Sequence, residues 1–558
     1  MAKKKRGDIE AIPKSHRPYI IFCLALFFIL IFGGAMKAFG ATYYIQDSTV
    51  NDNASDANNG ESWALSFASL DRVNNAMTGG DTVFFGAGTY RGRLDPPTGA
   101  TVNDRTCYAD SGLSLDPVEY TGLSHITGAE VVTDWTVYSG NTYKSYLAYT
   151  PITDYPAMYT ASDNDSLLAW AGSIAAVDAP GEYFHDATTD SVYIYCYDGG
   201  NPNTHTILIA NHYSVVSLGN NHDYITFIGL EISYGNSGVM LISNQNATNK
   251  PDYVTVSHCV VHHANNDGGA QNPCCIGTRS GITDSAMNAH GDTIRACTLY
   301  ANRNGSNWFG HNKCIVLYAV SSCVVESCYT TGGGIGINVK EGDGTLSRWN
   351  VIRYNTITNA SCGINFTAYH FFDSTYGNIV RQDVNNNNWG ITYEGVHTDS
   401  ACMTYNNTII NYGLPFVVGP YSDDGIDGSG DNRYFFKYNI VDFGGTRAFL
   451  TFNDDPTDYE NMFWDSNYYY QNGSTVYYSI NDVGHSWAEW QALGQDIHSS
   501  TVTDPGLNEN YEPTNISAWS SSITYGGRTW YGPGAVQSLW EGEPPPEPGT
   551  RYKMRMKK

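Results

Sequence analysis

The 558-residue sequence is poor in basic residues, and this scarcity limits the partners that it can bind. Lys and Arg number 30 against 55 Asp and Glu, which gives a formal net charge of −25 at pH 7. Removing the first 40 residues takes away seven basic and two acidic residues, so the remainder carries −30. Because nucleic acid binding relies on many cationic contacts to phosphates, we expect no nucleic acid partner.

Long apolar runs are also scarce. Residues 19–32 form one unbroken run of 14 residues, whereas a membrane-spanning helix needs about 20. The run follows a basic segment and precedes Ala38, Phe39 and Gly40, a small-x-small cleavage pattern. Residues 1–40 are therefore predicted to be a cleaved export signal, with an uncleaved N-terminal anchor as the alternative. We expect a monomer that is secreted or held at the cell surface, with no other membrane segment.

The sequence has no CxxC pair, the spacing typical of structural zinc sites. Eleven of its 12 cysteines lie outside the predicted signal. Cys259, Cys297 and Cys328 occupy equivalent places in a repeat. Such small, polarisable side chains can stack in a core without a bond, although a disulfide between adjacent strands is sterically conceivable. Cys274 and Cys275 are predicted to lie in a loop, where they could bridge outward.

A repeat dominates residues 254–439. Its members read VTVSHCVVHH, DTIRACTLYA, CVVESCYTTG, NVIRYNTITN, NIVRQDVNNN, CMTYNNTIIN and YFFKYNIVDF. Aligned, and with one step added upstream, they place these residues in one column: Leu230, Cys259, Cys297, Cys328, Asn355, Asp383, Asn407 and Asn439. A second apolar strand follows, as in GIGINVK, CGINFTA, WGITYEG and RAFLTFN. Short strands, loops of variable length and the absence of helical periodicity predict a parallel β-solenoid. The stacked rungs of such a solenoid share one core.

The repeat resembles the right-handed parallel β-helix proteins with pectate-lyase-like folds. Three further stretches carry the resemblance: residues 43–94 resemble the entry segment with its capping helix, GEYFHDATTDSVYIYCYDGG resembles an insertion of secreted members, and SWAEWQALGQDIHSSTVTDPGL resembles their closing segment. The resemblance implies an all-β fold, a right-handed parallel β-helix with an N-terminal helical cap, a β insertion and a C-terminal cap. Because this fold hosts lyases, hydrolases, epimerases and non-enzymatic adhesins, it does not decide the activity.

On this basis we divide the chain into six regions. They are the export signal (1–40), an N-terminal cap with the first rungs (41–120), the β insertion (121–210), the parallel β-helix core (211–455), a C-terminal cap (456–540) and a Pro-rich, basic tail (541–558). The tail is predicted to be a disordered spacer, with an electrostatic tether as the alternative.

One solvent face collects the candidate site residues. In GIGINVK, strand alternation places Asn338 and Lys340 outward and the apolar residues, including Ile335, inward. Aromatic rings among carboxylates and amides on the rungs around this strand suit a polysaccharide partner. The predicted substrate-binding residues are Asn338, Asn365, Tyr369, His370, Tyr393 and Trp308. The predicted catalytic residues are Lys340, Glu394, His397 and Asp399.

Lys340 is the residue for which the sequence predicts the most specific role. The run INVKEGDGTLSRWNVIRYNTI resembles the strand that carries the basic lysine in the alginate-lyase and chondroitinase-B branch, and only Lys340 matches. The resemblance implies a lyase that removes a proton beside a uronic acid carboxylate, with a cation to neutralise that carboxylate. The branch's acidic calcium ligands are replaced by Gly333 and Ile335, and its arginine by Thr367. Glu341 and Asp343 are the predicted Ca²⁺ ligands in their place.

Two other functions remain open. A glycoside hydrolase would use two carboxylates chosen from Glu341, Asp343, Glu394 and Asp399, although the NTD, DD and GHG set of polygalacturonase-like hydrolases is missing. A non-catalytic glycan-binding or surface protein would use the aromatic face alone.

The segment HCVVHHANNDGG contains His258, His262 and His263. Histidines at this spacing on a strand need not converge on a metal ion. We therefore predict surface histidines at the corner of a rung.

Overall fold

The computed structural model describes residues 40–112, 124–147, 157–160, 166–219, 221–236, 238–242, 251–264, 273–279, 289–301, 312–340, 347–367, 370–394, 401–418, 433–443, 449–452, 462–470, 477–480, 483–499, 501, 506–508, 511, 522–525 and 528–531. Regular structure in these residues is almost entirely β-strand, with two short α-helices and three 3₁₀ turns, Trp63–Leu65, Ile174–Ala176 and Pro202–Thr204. None of the helices described is long and apolar enough to cross a membrane.

A first sheet of twelve strands runs the length of the repeat, and every neighbouring pair in it is parallel. Buried and half-buried residues alternate along these short strands, as in the pattern of Thr82–Phe85, because successive side chains point to opposite faces. The strands are Thr42–Ile45, Thr82–Phe85, Thr106–Asp110, Ile225–Ile228, Thr255–Ser257, Thr293–Arg295, Val324–Glu326, Val351–Arg353, Ser374–Tyr376, Ala401–Tyr405, Arg433–Lys437 and Met462–Asp465.

A second sheet of twenty strands consists of two ladders that two long strands join. Ile379–Tyr393 and Thr408–Val418 run through both ladders, with register shifts near Asn386 where they bend. The first ladder contains Gly88–Arg91, Ser124–Thr127, Glu231–Gly235, Val260–Ala264, Thr298–Ala301, Tyr329–Gly332, Thr356–Thr358, Ile440–Asp442 and Tyr468–Tyr470. The second ladder contains Ser214–Ser217, Gly238–Leu241, Cys274–Arg279, Lys313–Tyr318, Ile335–Lys340, Cys362–Thr367, Phe449–Phe452, Tyr477–Ile480 and the antiparallel Val483–His485.

A third, narrow parallel sheet completes the rungs where the candidate site lies. Its strands are Ala289–His290, Val320–Ser321, Ser347–Arg348 and His370–Phe371. Each rung thus passes from the first sheet through both ladders, and the predicted parallel β-helix is confirmed. Inward side chains of successive rungs merge into one continuous apolar core, as expected where a single rung cannot bury its own inward face.

Buried asparagines link the rungs at the turn after the first sheet. Oδ1 of Asn378 accepts a hydrogen bond from the backbone N–H of Asn355, and Oδ1 of Asn407 accepts from that of Asn378, both over 3.0 Å. The ladder continues through Asn439 to Asn467 with the same geometry. Each amide also donates to a neighbouring rung, so the buried polar groups at this turn satisfy one another.

The prediction of Asp383 in this column is wrong. Ser374–Tyr376 pairs with Val351–Arg353 in the first sheet, so the turn that follows it places Asn378 in the column. Asp383 lies five residues further on, exposed, with Oδ1 2.8 Å from Arg381. STY and IVRQ both belong to strands of this rung, and only the second has the apolar pattern of the repeat.

The residue before each column position has a left-handed backbone. Ala296, Tyr354 and Tyr438 have φ of 51°, 61° and 58°. Such conformations cost a non-glycine residue of order 1 kcal/mol or more. At the asparagine positions the ladder of amide hydrogen bonds offsets that cost.

The cysteines are unbridged, and all of those described except the half-buried Cys107 are buried. All eleven outside the first 40 residues are free thiols, and Cys259, Cys297 and Cys328 stack within the core. The prediction that Cys274 and Cys275 lie in a loop is wrong, since both belong to the strand Cys274–Arg279 and are fully buried. This strand lies between two others of the second ladder, so no outward bridge can form there.

Two further sheets lie between the rungs that end at residue 127 and begin again at residue 214. One contains Ala129–Val132, Met158–Thr160, Ser166–Leu167 and Ile207–Ala210, and the other Thr136–Ser139, Thr142–Tyr146, Ala169–Trp170, Glu182–Asp186 and Ser191–Tyr195. They enclose separate apolar clusters of their own. Ser124–Thr127, which the sequence assigned to the insertion, is a rung strand instead.

A helix packs at each end of the core. Leu70–Ala76 begins at Ser69, whose side chain accepts from the backbone N–H of Arg72, and it buries Leu70 and Val73. Trp487–Ala492 begins with a capping box between Ser486 and Glu489, and its Trp490 ring stacks on Tyr478 at 4.7 Å. The remaining strands, Ser522–Tyr525 and Arg528–Tyr531, form an antiparallel pair.

Candidate functional site

The candidate site lies where the second ladder ends and the chain turns toward the third sheet. Parallel pairing places Asn338, Asn365 and Thr392 in one row, and Lys340 beside Thr367 in the next. Glu394 follows Tyr393 at the end of its strand, and its backbone N–H donates to the Phe366 carbonyl over 2.8 Å. The stacking of equivalent strands therefore brings the predicted outward residues of three rungs together.

A network of side-chain amides connects these rungs. Nδ2 of Asn338 donates to the Thr367 hydroxyl over 2.9 Å, and Nδ2 of Asn365 donates to the same hydroxyl over 3.0 Å. Asn365 also donates to Oε1 of Glu394 over 2.8 Å. The asparagines are almost completely buried, so strand alternation predicted their direction but not that they would be covered. Their network holds the carboxyl group of Glu394 in one orientation.

Glu394 is the electrostatic centre of the site. Burial raises the pKa of its carboxyl above the ordinary value. The hydrogen bond from Asn365 and the electrostatic effects of His370, Lys340 and Lys313 oppose that rise in pKa, in this order of size. A buried carboxyl with a raised pKa can keep a proton at a pH where an exposed one has lost it, as a general acid requires.

His370 and Asp373 form a fully buried pair beside this carboxyl. Nδ1 of His370 lies 2.9 Å from Oδ2 of Asp373, and Oδ1 of Asp373 accepts the backbone N–H of Asn350 over 2.7 Å. Nε2 of His370 has no hydrogen-bond partner among the described residues, and neither has Oδ1 of Asn365. Buried polar atoms without partners are rare, and here they mark where a ligand or water could bind.

The two lysines occupy different places in the ladder. The Lys340 ammonium lies 5.7 Å from the centre of the Tyr318 ring, and its rung neighbour in that row is indeed Tyr318. Lys313 is buried and pairs in register with Ile335. Sequence alternation found Lys340, but Tyr318 was missed because its contact comes from the neighbouring strand. Both lysines lie close enough to Glu394 to lower the pKa of its carboxyl.

Two predictions about this face are wrong. Tyr393 is not a surface aromatic: it is 1% exposed, its ring stacks on Phe366 at 4.4 Å, and its hydroxyl contacts Thr404 at 2.9 Å inside the core. Ile335 does not point into the main core but packs with Cys362 and Trp389 in a separate cluster. Gly336 explains the change, because it lies at the bend where a Cβ would meet Ile357 in the core.

The other predicted residues lie outside the described part of the chain. They are Trp308, Glu341, Asp343, Tyr369, His397 and Asp399, together with the predicted signal run at residues 19–32 and the basic tail. The predictions of Ca²⁺ ligation by Glu341 and Asp343 and of catalysis by His397 and Asp399 therefore stay predictions.

Comparison with known proteins indicates the fold. No protein-family model and no curated protein matches the sequence. Among solved structures, the chain is similar to XylC in complex with xylose, at 13% identity over 88% of this chain and 89% of that one, with a TM-score of 0.50. It is also similar to pectate lyase Pel9A (11% identity, 76% and 79% covered, TM-score 0.42). A third match is an exopolygalacturonase from Thermotoga maritima (8% identity, 75% and 87% covered, TM-score 0.35).

The chain has the fold of the pectate-lyase-like parallel β-helix proteins. Its structural neighbours are carbohydrate-active enzymes, both lyases and glycoside hydrolases. At such low identity this likeness concerns the fold, so the activity must be argued from the residues of the site.

Proposed function

We propose that this protein cleaves an acidic, uronic-acid polysaccharide by β-elimination, with Lys340 as the base and Glu394 as the proton donor. The observation that carries the proposal is the half-buried Glu394 carboxyl, whose pKa is raised by burial although two lysines lie near it. A proton donor and a cation side by side are what elimination next to a carboxylate needs. Because Lys340 reacts as a neutral amine, the positive charge of Lys313 supplies the attraction to an anionic glycan that the chain as a whole lacks.

The elimination proceeds through two proton transfers. The Lys340 amine, in its neutral form, takes the proton from the carbon beside the uronate carboxylate. The electron pair of that C–H bond forms a carbon–carbon double bond while the bond from the adjacent carbon to the glycosidic oxygen breaks. Glu394 gives its proton to this oxygen, and exchange with water restores both groups. Asn365 orients Glu394, while Lys313 adds positive charge near the reacting carboxylate.

A glycoside hydrolase is the second candidate, because a carboxyl with a raised pKa is also the general acid of hydrolysis. It needs a second carboxylate within about 5–9.5 Å. Asp373, the other carboxylate that the structure describes at this corner, is fully buried and bound by Asn350 and His370. This arrangement favours elimination over hydrolysis within the described residues.

A panel of acidic and neutral polysaccharides tests the proposal, with reducing ends and the ultraviolet absorbance of an unsaturated uronide followed together, with and without a Ca²⁺ chelator. We expect cleavage with absorbance on an acidic glycan, reduced about 10²–10⁴-fold in Lys340→Ala and in Glu394→Gln. Cleavage without absorbance would move the assignment to a hydrolase. Binding of glycans without any cleavage would make the protein a glycan-binding module.

Matched controls are available elsewhere in the chain. Lys144 lies 5.6 Å from the Tyr193 ring, in the same kind of contact as Lys340. Glu130 is a partly buried carboxyl whose pKa burial also raises. Lys144→Ala and Glu130→Gln should leave the activity unchanged. We further propose that the protein is exported, which N-terminal sequencing of the protein secreted by its host would test.

A further inference from the structure

A cluster of two histidines and a glutamate lies on the first ladder, away from the candidate site. His125, Glu231 and His262 each offer one ligand atom, and these atoms lie within 4.8 Å of one another. They come from three successive strands, Ser124–Thr127, Glu231–Gly235 and Val260–Ala264, so the backbone pairing of the helix fixes their positions. The rung of Asn365 begins with Thr356–Thr358 in this ladder. Two strands lie between Thr356–Thr358 and Val260–Ala264, so the cluster is separated from the candidate site.

The prediction of surface histidines in this segment is wrong. His262 is 4% exposed and His263 is 6% exposed. The His262 ring stacks on Tyr300 at 4.7 Å, and the His263 ring stacks on Tyr234 at 4.6 Å. Aromatic walls thus hold both imidazoles in fixed orientations.

The cluster already has the geometry of a metal centre. Nε2 of His262 lies 3.0 Å from Oε1 of Glu231, and the His125 ring lies parallel to the His262 ring at 6.2 Å. Ligand atoms around a tetrahedral zinc ion, each about 2.0–2.1 Å from it, are separated by roughly 3.3 Å. The pair of His262 and Glu231, 3.0 Å apart, is near this separation, and the His125 ligand atom lies within 4.8 Å of both.

Residues that contact the three proposed ligands could orient them as the surroundings of a metal site do. Nδ1 of His262 is in hydrogen-bond contact with Nδ1 of His263, so the opposite nitrogen of His262 faces Glu231. Metal-bound histidines usually have their second ring nitrogen fixed by a hydrogen bond, most often to a carboxylate, a carbonyl or water, and here His263 takes that place. Nε2 of His125 lies 2.6 Å from the Ser233 hydroxyl, which is placed to hydrogen-bond to a ligand at this spot. His125 and Glu231 are half-buried, so the site stays open on one side to water.

We propose that His125, Glu231 and His262 bind one Zn²⁺ ion, which links three successive rungs beside the insertion. Two imidazoles and a carboxylate with an open fourth position form a characteristic zinc ligand set. The insertion adjoins this place, because its Tyr159 lies edge-on to His263 at 5.4 Å. A metal that binds the folded state only would raise the stability of the protein in proportion to its occupancy.

Metal-depleted full-length protein should be titrated with Zn²⁺ by calorimetry and by thermal unfolding. We expect one strong site per chain and a rise in the unfolding temperature. Glu231→Gln and His125→Asn, which change half-buried residues, should each weaken zinc binding more than about 10-fold and abolish the rise. His258→Asn, which changes a histidine of the same segment outside the cluster, should bind zinc like the parent protein.

Cys196, Asp198 and His205 form the other cluster of this kind in the described residues. This second cluster could bind the added metal instead, so the experiment must distinguish the two sites. Co²⁺ in place of zinc distinguishes the two, because a thiolate ligand adds an intense near-ultraviolet charge-transfer band. Visible absorbance without that band, lost in Glu231→Gln, supports the proposal. A thiolate band, binding that persists in both cluster variants, or no zinc binding at all would overturn it.

Discussion

Asn365 donates a 2.8 Å hydrogen bond from its side-chain amide to Oε1 of Glu394, one rung away. The bond favours the ionised carboxylate and so lowers the pKa of Glu394, against the larger effect of burial. The final pKa of the proposed proton donor is therefore set by two opposing features that belong to different rungs.

Asn365→Ala should move the pH dependence of activity upward. Without the donor, the pKa of Glu394 rises further, so the carboxyl stays protonated to a higher pH. The descending limb of kcat, which reports loss of the proton from the donor, shifts to higher pH in a plot against pH. Asn338→Ala is the control, since Asn338 bonds to Thr367 and not to Glu394. An equal shift in both variants, or a shift downward, would contradict the assignment of Glu394.

Asn378→Ala should destabilise the protein by about 2–4 kcal/mol, since it removes several buried hydrogen bonds and leaves the Asn355 N–H without its acceptor. Asp383→Ala is the matched control, because Asp383 is exposed. Exposed substitutions usually change stability by less than about 0.5 kcal/mol. Urea unfolding of both variants measures the difference. Equal destabilisation would mean that Asp383 and not Asn378 belongs to the ladder.

The repeat pattern predicted the rungs well because the strands are short, apolar and evenly punctuated. It failed at residues 374–383, where STYGN and IVRQD both have the form of a strand followed by a polar residue. What distinguishes them is the pairing of Asn378 with Asn355 and Asn407 on other rungs. Such cross-rung hydrogen bonds leave no mark within the local sequence.

The sequence predicted which face the site residues point to, but not how deeply they are buried. Alternation placed Asn338, Asn365 and Lys340 on one face, and the register of the strands agrees. Alternation says nothing about what covers a face, so it missed the burial of His370. The cluster of His125, Glu231 and His262 was out of reach, because its members are separated by 106 and 31 residues in the sequence and meet only through strand stacking.

Gly363→Ala should disturb the site through the backbone. A Cβ there would lie 2.2 Å from Cγ1 of Val380 and 2.6 Å from the Gly390 carbonyl oxygen. Overpacking of this kind typically costs about 1–3 kcal/mol, and it would displace the strand that carries Asn365. We expect lower thermal stability and lower activity per folded molecule. Gly484→Ala, where nothing lies within 4 Å, should change neither; a silent Gly363→Ala would show that the bend tolerates a side chain.

Asp292→Asn should stabilise the protein more as the pH rises. Asp292 is fully buried, its Oδ1 accepts the Val254 N–H over 2.8 Å, and burial raises its pKa well above the ordinary value. Its favourable contribution is complete below the pKa of the unfolded chain, where both states are protonated. It is lost progressively as the pH rises toward the folded pKa, because only the unfolded state ionises freely.

Asparagine keeps the Oδ1 acceptor and never ionises, so the variant does not lose stability at this position as the pH rises. The gain in unfolding temperature over the parent should be small at pH 5 and larger at pH 8. The rung two steps further along offers the reciprocal change, since Asn350 accepts the Cys323 N–H in the same way. Asn350→Asp should therefore lose stability as the pH rises. A gain for Asp292→Asn that is constant across pH would mean that packing, and not ionisation, governs this turn.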